Sequence, residues 1–159
     1  MSWKNEIEEL HKRKEKALKL GGEEKVRRQH KSNRLTVRER IKLFFDKKTF
    51  EEIGILAGKS FYDENGKLID FTPSNSIIGQ GLVEDSPVIF YGDDFTVRGG
   101  ASDAAIWDKM IAAEKFANEY ELPLVRFIEG TGGGGSVKTL ETQGFSYVPY
   151  NPAWDLVVD

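Results

Sequence analysis

Two glycine-rich segments carry the residues of this chain best suited to chemistry. The first runs Asp93-Asp94-Phe95-Thr96-Val97-Arg98-Gly99-Gly100-Ala101-Ser102, and the second Glu129-Gly130-Thr131-Gly132-Gly133-Gly134-Gly135-Ser136. Each directly follows a strand-like run. A loop without side chains lets backbone amides approach a ligand closely. Where such a loop opens a helix, the first amides lack partners and the helix dipole favours negative charge. Loops of this kind can hold a phosphate or the oxyanion that develops in acyl transfer.

The surrounding residues narrow the choice. Lys138 is preceded by Val137, so the second segment is not a phosphate-binding P-loop. It does contain the dinucleotide fingerprint at Gly130, Gly132 and Gly135, but any run of glycines generates that match, and the motif normally follows a first strand. A nucleotide-binding module using residues 130–135 therefore stands as an alternative, as does a flexible loop with no ligand. Both histidines, His11 and His30, lie far upstream of the loops, so a Ser-His-Asp triad has no base in this region. Asp93-Asp94 could ligate magnesium or could serve as a turn device. No acidic or histidine cluster has metal-ligand spacing, and no bound metal is expected. A site on these loops would work through backbone donors, an arrangement suited to enolate chemistry on an acyl thioester.

The elements that must position the loops can be read from periodicity. Trp3, Ile7, Leu10, Lys14, Ala17 and Leu18 form a narrow stripe that predicts a helix over 4–20, ended by Gly21-Gly22. A basic stretch follows over 25–34. Thr36 and Glu39 are spaced as a capping box that opens a second helix through Ile41, Phe44 and Phe45 to Asp46. Residues 51–56 read as extended, and Asn65-Gly66 closes a turn over 62–66. Residues 76–83 and 88–91 read as a hairpin across Glu84-Asp85-Ser86. Ile106, Met110, Ala113, Ala117 and Tyr120 recur at steps of four and three, predicting a core-facing helix over 103–120. Residues 122–128 form a short apolar run of the kind buried on both faces of a sheet. Hairpin, helix, strand is the beginning of an α/β layer. The chain divides into a basic helical arm, residues 1–48, and an α/β part, residues 49–159.

Composition excludes several classes. The 159 residues carry a net charge of −3, but residues 1–50 hold 16 Lys and Arg against 8 Asp and Glu. A basic arm beside an acidic remainder implies an anionic partner for the arm or packing of one on the other. There is no cysteine, which removes disulfides and thiolate chemistry and fits a cytoplasmic location. No segment approaches the roughly 18 consecutive apolar residues of a membrane span. The closing run Pro152-Ala153-Trp154-Asp155-Leu156-Val157-Val158-Asp159 has the character of an element beginning, and one strand with one helix does not close an α/β sheet. The chain is therefore expected to be a truncated part of a longer protein.

The run from Gly79 to Gly100, with Gly79-Gln80-Gly81 followed by Asp94-Phe95-Thr96-Val97-Arg98-Gly99-Gly100, resembles the carboxyltransferase (β) subunits of biotin-dependent acyl-CoA carboxylases, the propionyl-CoA carboxylase type among them. The family's hallmark here is a Gly-x-Gly hairpin followed by Asp-Phe-Thr-Val-x-Gly-Gly-Ser. Gln29-His30-Lys31, the segment Arg34-Leu35-Thr36-Val37-Arg38-Glu39-Arg40-Ile41, and Asp46 match its opening segment. The resemblance implies a crotonase-like (ClpP/crotonase) layered α/β fold, incomplete here, with N-terminal helices. It implies the acyl-CoA-binding part of an enzyme moving a carboxyl group between carboxybiotin and the α-carbon of an acyl-CoA. Biotin would be carried on a partner protein or domain, with biotin carboxylase and biotin carboxyl carrier subunits as partners, and with homo-oligomerisation of the full-length protein. No nucleic acid is implied.

The second loop of the family usually reads Asp-Ser-Gly-Gly-Ala-Arg. Here the acid, the hydroxyl and the paired glycines are Glu129, Thr131, Gly132 and Gly133, and the arginine is not matched. Carried over, Gly132 and Gly133 are the catalytic oxyanion donors, and Gly99, Gly100 and Ala101 bind substrate, with Ala101 standing where serine is usual. CoA bears several phosphate charges. Arg27 and Arg28, within the cationic cluster of Lys25, Arg27, Arg28, Lys31 and Arg34, are expected near its nucleotide end. A non-catalytic role in assembly is the remaining alternative.

Overall fold

The computed structural model describes residues 3–101, 106–130, 140–141 and 144. Three helices come first: α1 (Lys4–Leu18), α2 (Glu23–Lys31) and α3 (Val37–Phe44). The strands are β1 (Glu51–Ile53), β2 (Gly58–Tyr62), β3 (Leu68–Pro73), β4 (Ser76–Val83), β5 (Ser86–Asp93) and β6 (Leu124–Phe127), with α4 (Trp107–Glu119) between the last two. The main sheet has the order β1-β4-β5-β6, and β2 and β3 form a separate hairpin. β4 and β5 pair antiparallel from Ser76↔Asp93 to Val83↔Ser86, as their shared turn predicts. β5 and β6 pair parallel, from Ile89↔Leu124 to Gly92↔Phe127, so α4 is the crossover that parallel strands require.

The sheet buries both faces, which is why β4 and β5 read as nearly continuous apolar runs. Successive side chains alternate between faces. Ile77, Val88 and Phe90 join Val37, Ile41 and Phe45 of the α3 segment on one face. Ile78, Ile89 and Tyr91 meet Ala113 and Ala117 of α4 on the other. Phe90 is fully buried, and the rings of Phe44, Phe45, Phe50 and Phe127 surround it at centroid distances between 5.1 and 6.3 Å. The Gly-x-Gly of β4 makes room for these rings. A Cβ on Gly81 would lie 2.5 Å from Phe45, and one on Gly79 would lie 2.7 Å from Phe50.

Several sequence expectations are corrected. The basic stretch contains a helix, α2, because Glu23 and Glu24 stand in its first turn and Arg28, His30 and Lys31 in its last, where each sign complements the dipole. The turn at residues 62–66 belongs to a hairpin whose strands lack clear alternation. Of the apolar stripe of α1 only Ala17 is buried; Trp3, Ile7, Leu10 and Leu18 are between 48% and 68% exposed. That helix is held to the β2–β3 hairpin by polar contacts, Arg13 and Glu9 to the Tyr62 hydroxyl and Lys16 to Asp70. The long helix has Ile106 as its extended N-cap residue, and residues 103–105 lie outside the described residues. Ala113 and Ala117 face the core as expected, but Tyr120 follows the helix and is 61% exposed. β6 pairs only with β5 among the described residues, and its four residues are half-buried, not enclosed on both faces.

Candidate functional site at two facing glycine loops

Both loops leave the same end of the sheet, because β5 and β6 are parallel neighbours. The first follows β5. Asp94 sits at its base and is buried. Its Oδ1 accepts from the Thr96 amide at 2.9 Å and from the Thr96 hydroxyl at 2.6 Å. Burial pushes this carboxyl upward, and the two Thr96 bonds oppose the shift. Asp93 accepts from the Tyr91 hydroxyl at 2.8 Å and from the Glu129 amide at 3.0 Å. The aspartate pair is thus a turn and tie device. Among the described residues, no group of three or more His, Cys, Asp or Glu could hold a metal ion.

Beyond Val97 the chain turns left-handed for three residues, with φ of 56° at Arg98, 63° at Gly99 and 71° at Gly100. The resulting short 3-10 turn directs the Gly100 amide to the Val97 carbonyl and the Ala101 amide to the Arg98 carbonyl, each at 3.1 Å. The Ala101 carbonyl is held by the side-chain amide of Asn75 at 2.8 Å. Lys109, in the first turn of α4, donates to the neighbouring Ser76 carbonyl at 2.7 Å. Burial lowers this ammonium to about 8, against the opposing pull of Glu52. Composition could not single out Lys109, since a lysine on a helix is ordinarily solvated.

The second loop begins at Glu129, and its start meets the first directly. A Cβ on Gly100 would lie 2.9 Å from the Cα of Gly130 and 3.0 Å from the Glu129 carbonyl oxygen. Gly100 is therefore brought to the beginning of the second loop. Gly132 and Gly133 lie outside the described residues.

The basic arm is tied to the first loop and to the start of the second. The Gly21 amide, between α1 and α2, donates to the Thr96 hydroxyl at 2.9 Å. The Arg34 guanidinium lies 6.0 Å from the centre of the Phe95 ring. Glu129 accepts from the Gln29 amide at 2.8 Å and pairs with Arg40 at 2.7 Å and Arg34 at 3.5 Å. Packing of the arm on the acidic part, one of the two outcomes the charge division implies, is what these contacts describe. Arg27 and Arg28 are exposed on α2, immediately before the buried Gln29. His30 faces Glu39 at 3.0 Å and takes no part in the loops.

The carboxyl transferase domain family matches residues 28–146. The propionyl-CoA carboxylase carboxyltransferase subunit of Haloferax mediterranei is 32% identical over 94% of this chain and 31% of its own length. The methylmalonyl-CoA decarboxylase subunit alpha of Propionigenium modestum is 30% identical over 79% of this chain and 24% of its own. The chain thus spans between about a quarter and a third of the length of these relatives. In shape it is similar to a transcarboxylase 12S structure with hydrolysed methylmalonyl-CoA bound, at a TM-score of 0.65 and 24% identity over 79% of this chain and 24% of that one. It is also similar to the beta subunit of the Pseudomonas aeruginosa geranyl-CoA carboxylase, at a TM-score of 0.62 and 22% identity over 84% of this chain and 24% of that one. These likenesses establish the crotonase-like α/β fold. They lend support to neither the nucleotide-module nor the assembly alternative.

Proposed function

The chain belongs to the carboxyl transferase domain family, and on that premise we propose that it forms the acyl-CoA side of a biotin-dependent carboxyltransferase. The observation that carries the reading is the meeting of Gly100 and Gly130, which walls the ends of β5 and β6 with bare backbone. A thioester carbonyl needs such room, because it must reach amides without passing a side chain.

The reaction joins a carboxyl carbon to the α-carbon of an acyl-CoA as that carbon gives up a proton, or reverses this change. Carboxybiotin, brought by a carrier protein, would supply the carboxyl group, its nitrogen–carboxyl bond breaking as the new carbon–carbon bond forms, and the freed biotin nitrogen would take the α-proton. The chain's own task is to bind the thioester and stabilise its enolate. Loss of the α-proton puts negative charge on the carbonyl oxygen, and two amides aimed at that oxygen lower the barrier. One such donor is worth about 3–4 kcal/mol. We assign these donors to Gly132 and Gly133, with Gly99, Gly100 and Ala101 forming the facing wall. Arg27 and Arg28 serve the CoA phosphates. Biotin carboxylase and biotin carboxyl carrier subunits are the partners of this reading, the whole protein is a homo-oligomer, and a cysteine-free chain suits the cytoplasm.

The test is carboxyl transfer from labelled carboxybiotin to short acyl-CoAs by the assembled enzyme. Gly133→Val should cut turnover by about 100-fold or more, with the fold retained. Near-normal turnover would remove Gly133 from the oxyanion site. Stabilisation of the wild-type chain by ATP or NAD, and not by CoA thioesters, in a thermal-shift screen would favour the nucleotide reading instead.

A further inference from the structure

We propose that Glu129 is a positioning residue for this site: its carboxylate is the latch by which the N-terminal arm fixes the start of the second glycine loop, Glu129 and Gly130, against the first. The inference rests on the functional reading above for its kinetic consequence, and on geometry alone for the latch.

Glu129 is tied through its carboxylate and through its amide. One carboxylate oxygen accepts from Gln29 at 2.8 Å and lies 3.5 Å from Arg34, and the other is 2.7 Å from Arg40. Its amide donates to Asp93 at 3.0 Å, so the same residue is also fastened to the end of β5. Its carbonyl oxygen and the Cα of Gly130 are the atoms that Gly100 abuts. The side chain is only 13% exposed, and its partner Gln29 is buried. Charge-assisted bonds of this kind are stronger and shorter than neutral ones and fix direction as well as distance. A carboxylate this enclosed is also costly to leave unpaired, so the arm and the loop hold one arrangement together.

The latch separates two roles for the arm's cations. Arg40 and the more exposed Arg34 pair with Glu129, and Arg27 and Arg28 remain on the exposed side of α2. A catalytic loop displaced by about 1 Å can lose about 100-fold in rate. Removing the latch should therefore act on turnover more than on substrate affinity, which the outer arginines govern.

The experiment compares Glu129→Ala, Glu129→Gln and the exchange Arg40→Glu with Glu129→Arg in the full assembly, with Lys16→Ala as a control that loosens α1 without touching the loops. Steady-state carboxyl transfer and amide hydrogen exchange are read on each. Glu129→Ala should lower kcat by ~10- to 100-fold with KM for the acyl-CoA within about twofold. Exchange at residues 99–101 and 129–130 should rise by more than ~10-fold, with the amides of Ile89 and Phe90 unchanged. Glu129→Gln should fall between, and the exchange pair should recover part of the loss. Unchanged kcat in Glu129→Ala, or a loss of melting temperature with no local change in loop exchange, would overturn the proposal. If the wild-type assembly transfers no carboxyl group, the functional reading fails and the loop exchange alone decides the latch, faster exchange supporting it and unaltered exchange refuting it.

Discussion

Gly100 and Gly130 meet so closely that a single added Cβ on Gly100 would stand 2.9 Å from the Cα of Gly130. Backbone meets backbone there, so no flexible side chain can give way to relieve the contact. Gly100 also has a φ of 71°, where a side chain is strained whatever the space around it. Two independent constraints thus require glycine at one position.

Gly100→Ala should therefore destabilise the fold by about 1–2 kcal/mol from backbone strain alone, and should push the second loop outward. Urea denaturation reads the first effect and acyl-CoA affinity the second. An alanine variant with wild-type stability and affinity would show that the loops are not held against each other.

Reversing Arg27 and Arg28 together to glutamate should weaken CoA-thioester binding several-fold at low ionic strength. The effect should shrink above about 0.5 M salt, because exposed charges are screened over a few ångströms there. Calorimetry at two salt concentrations checks this. Unchanged affinity at low salt would make these arginines a solvated face and nothing more.

The capping box makes an acid-sensitive element. The bond from His30, followed by the Thr36 amide, holds the Glu39 carboxyl down at about 2, below its ordinary 4.5. A carboxyl with a depressed folded value contributes stability that is fully present above about 4.5 and is lost as pH falls through about 2. Glu39 is half-exposed, so the effect should be a fraction of a kcal/mol. Denaturation midpoints between pH 5 and 2 should fall less in Glu39→Gln than in the wild type, since glutamine keeps the cap and removes the titration. Thr36→Ala should cost about 1 kcal/mol across the range.

Lys109 acts at the alkaline end with the opposite sign. Its ammonium is lowered to about 8 by burial, so between pH 8 and 10 the unfolded chain binds more protons than the folded one and stability rises with pH. The gain over that interval should be about 2 kcal/mol. Above pH 10 the buried Tyr91, whose phenol is pushed upward, works against it. Lys109→Met should flatten the rise. A wild-type stability that fell steadily from pH 8 to 10 would contradict the burial of a charged lysine.

What the sequence determined by itself was local. The Thr36 and Glu39 spacing specifies its own cap, because the two residues sit one turn apart. The polar turn between β4 and β5 specifies their pairing, and the Ala113 and Ala117 spacing gives α4 its buried face. The glycine loops announced themselves by composition, and the run from Gly79 to Gly100 announced the family.

Only the tertiary structure decided which faces were used and what the arm was for. The stripe of Ile7, Leu10 and Leu18 has helical spacing, yet α1 docks through Arg13 and Lys16, because the hairpin offers Tyr62 and Asp70 there. Periodicity reports that a helix has an apolar side, not that a partner surface awaits it. Gln29, Arg34 and Arg40 could have been solvated or bound to an anion from outside. Glu129, remote in sequence, collects them because β6 returns parallel to β5 and carries it to the end of the sheet where the arm lies. A pairing of charges across that separation leaves no periodic trace in a chain, since its distance is set by the whole topology and not by any local repeat.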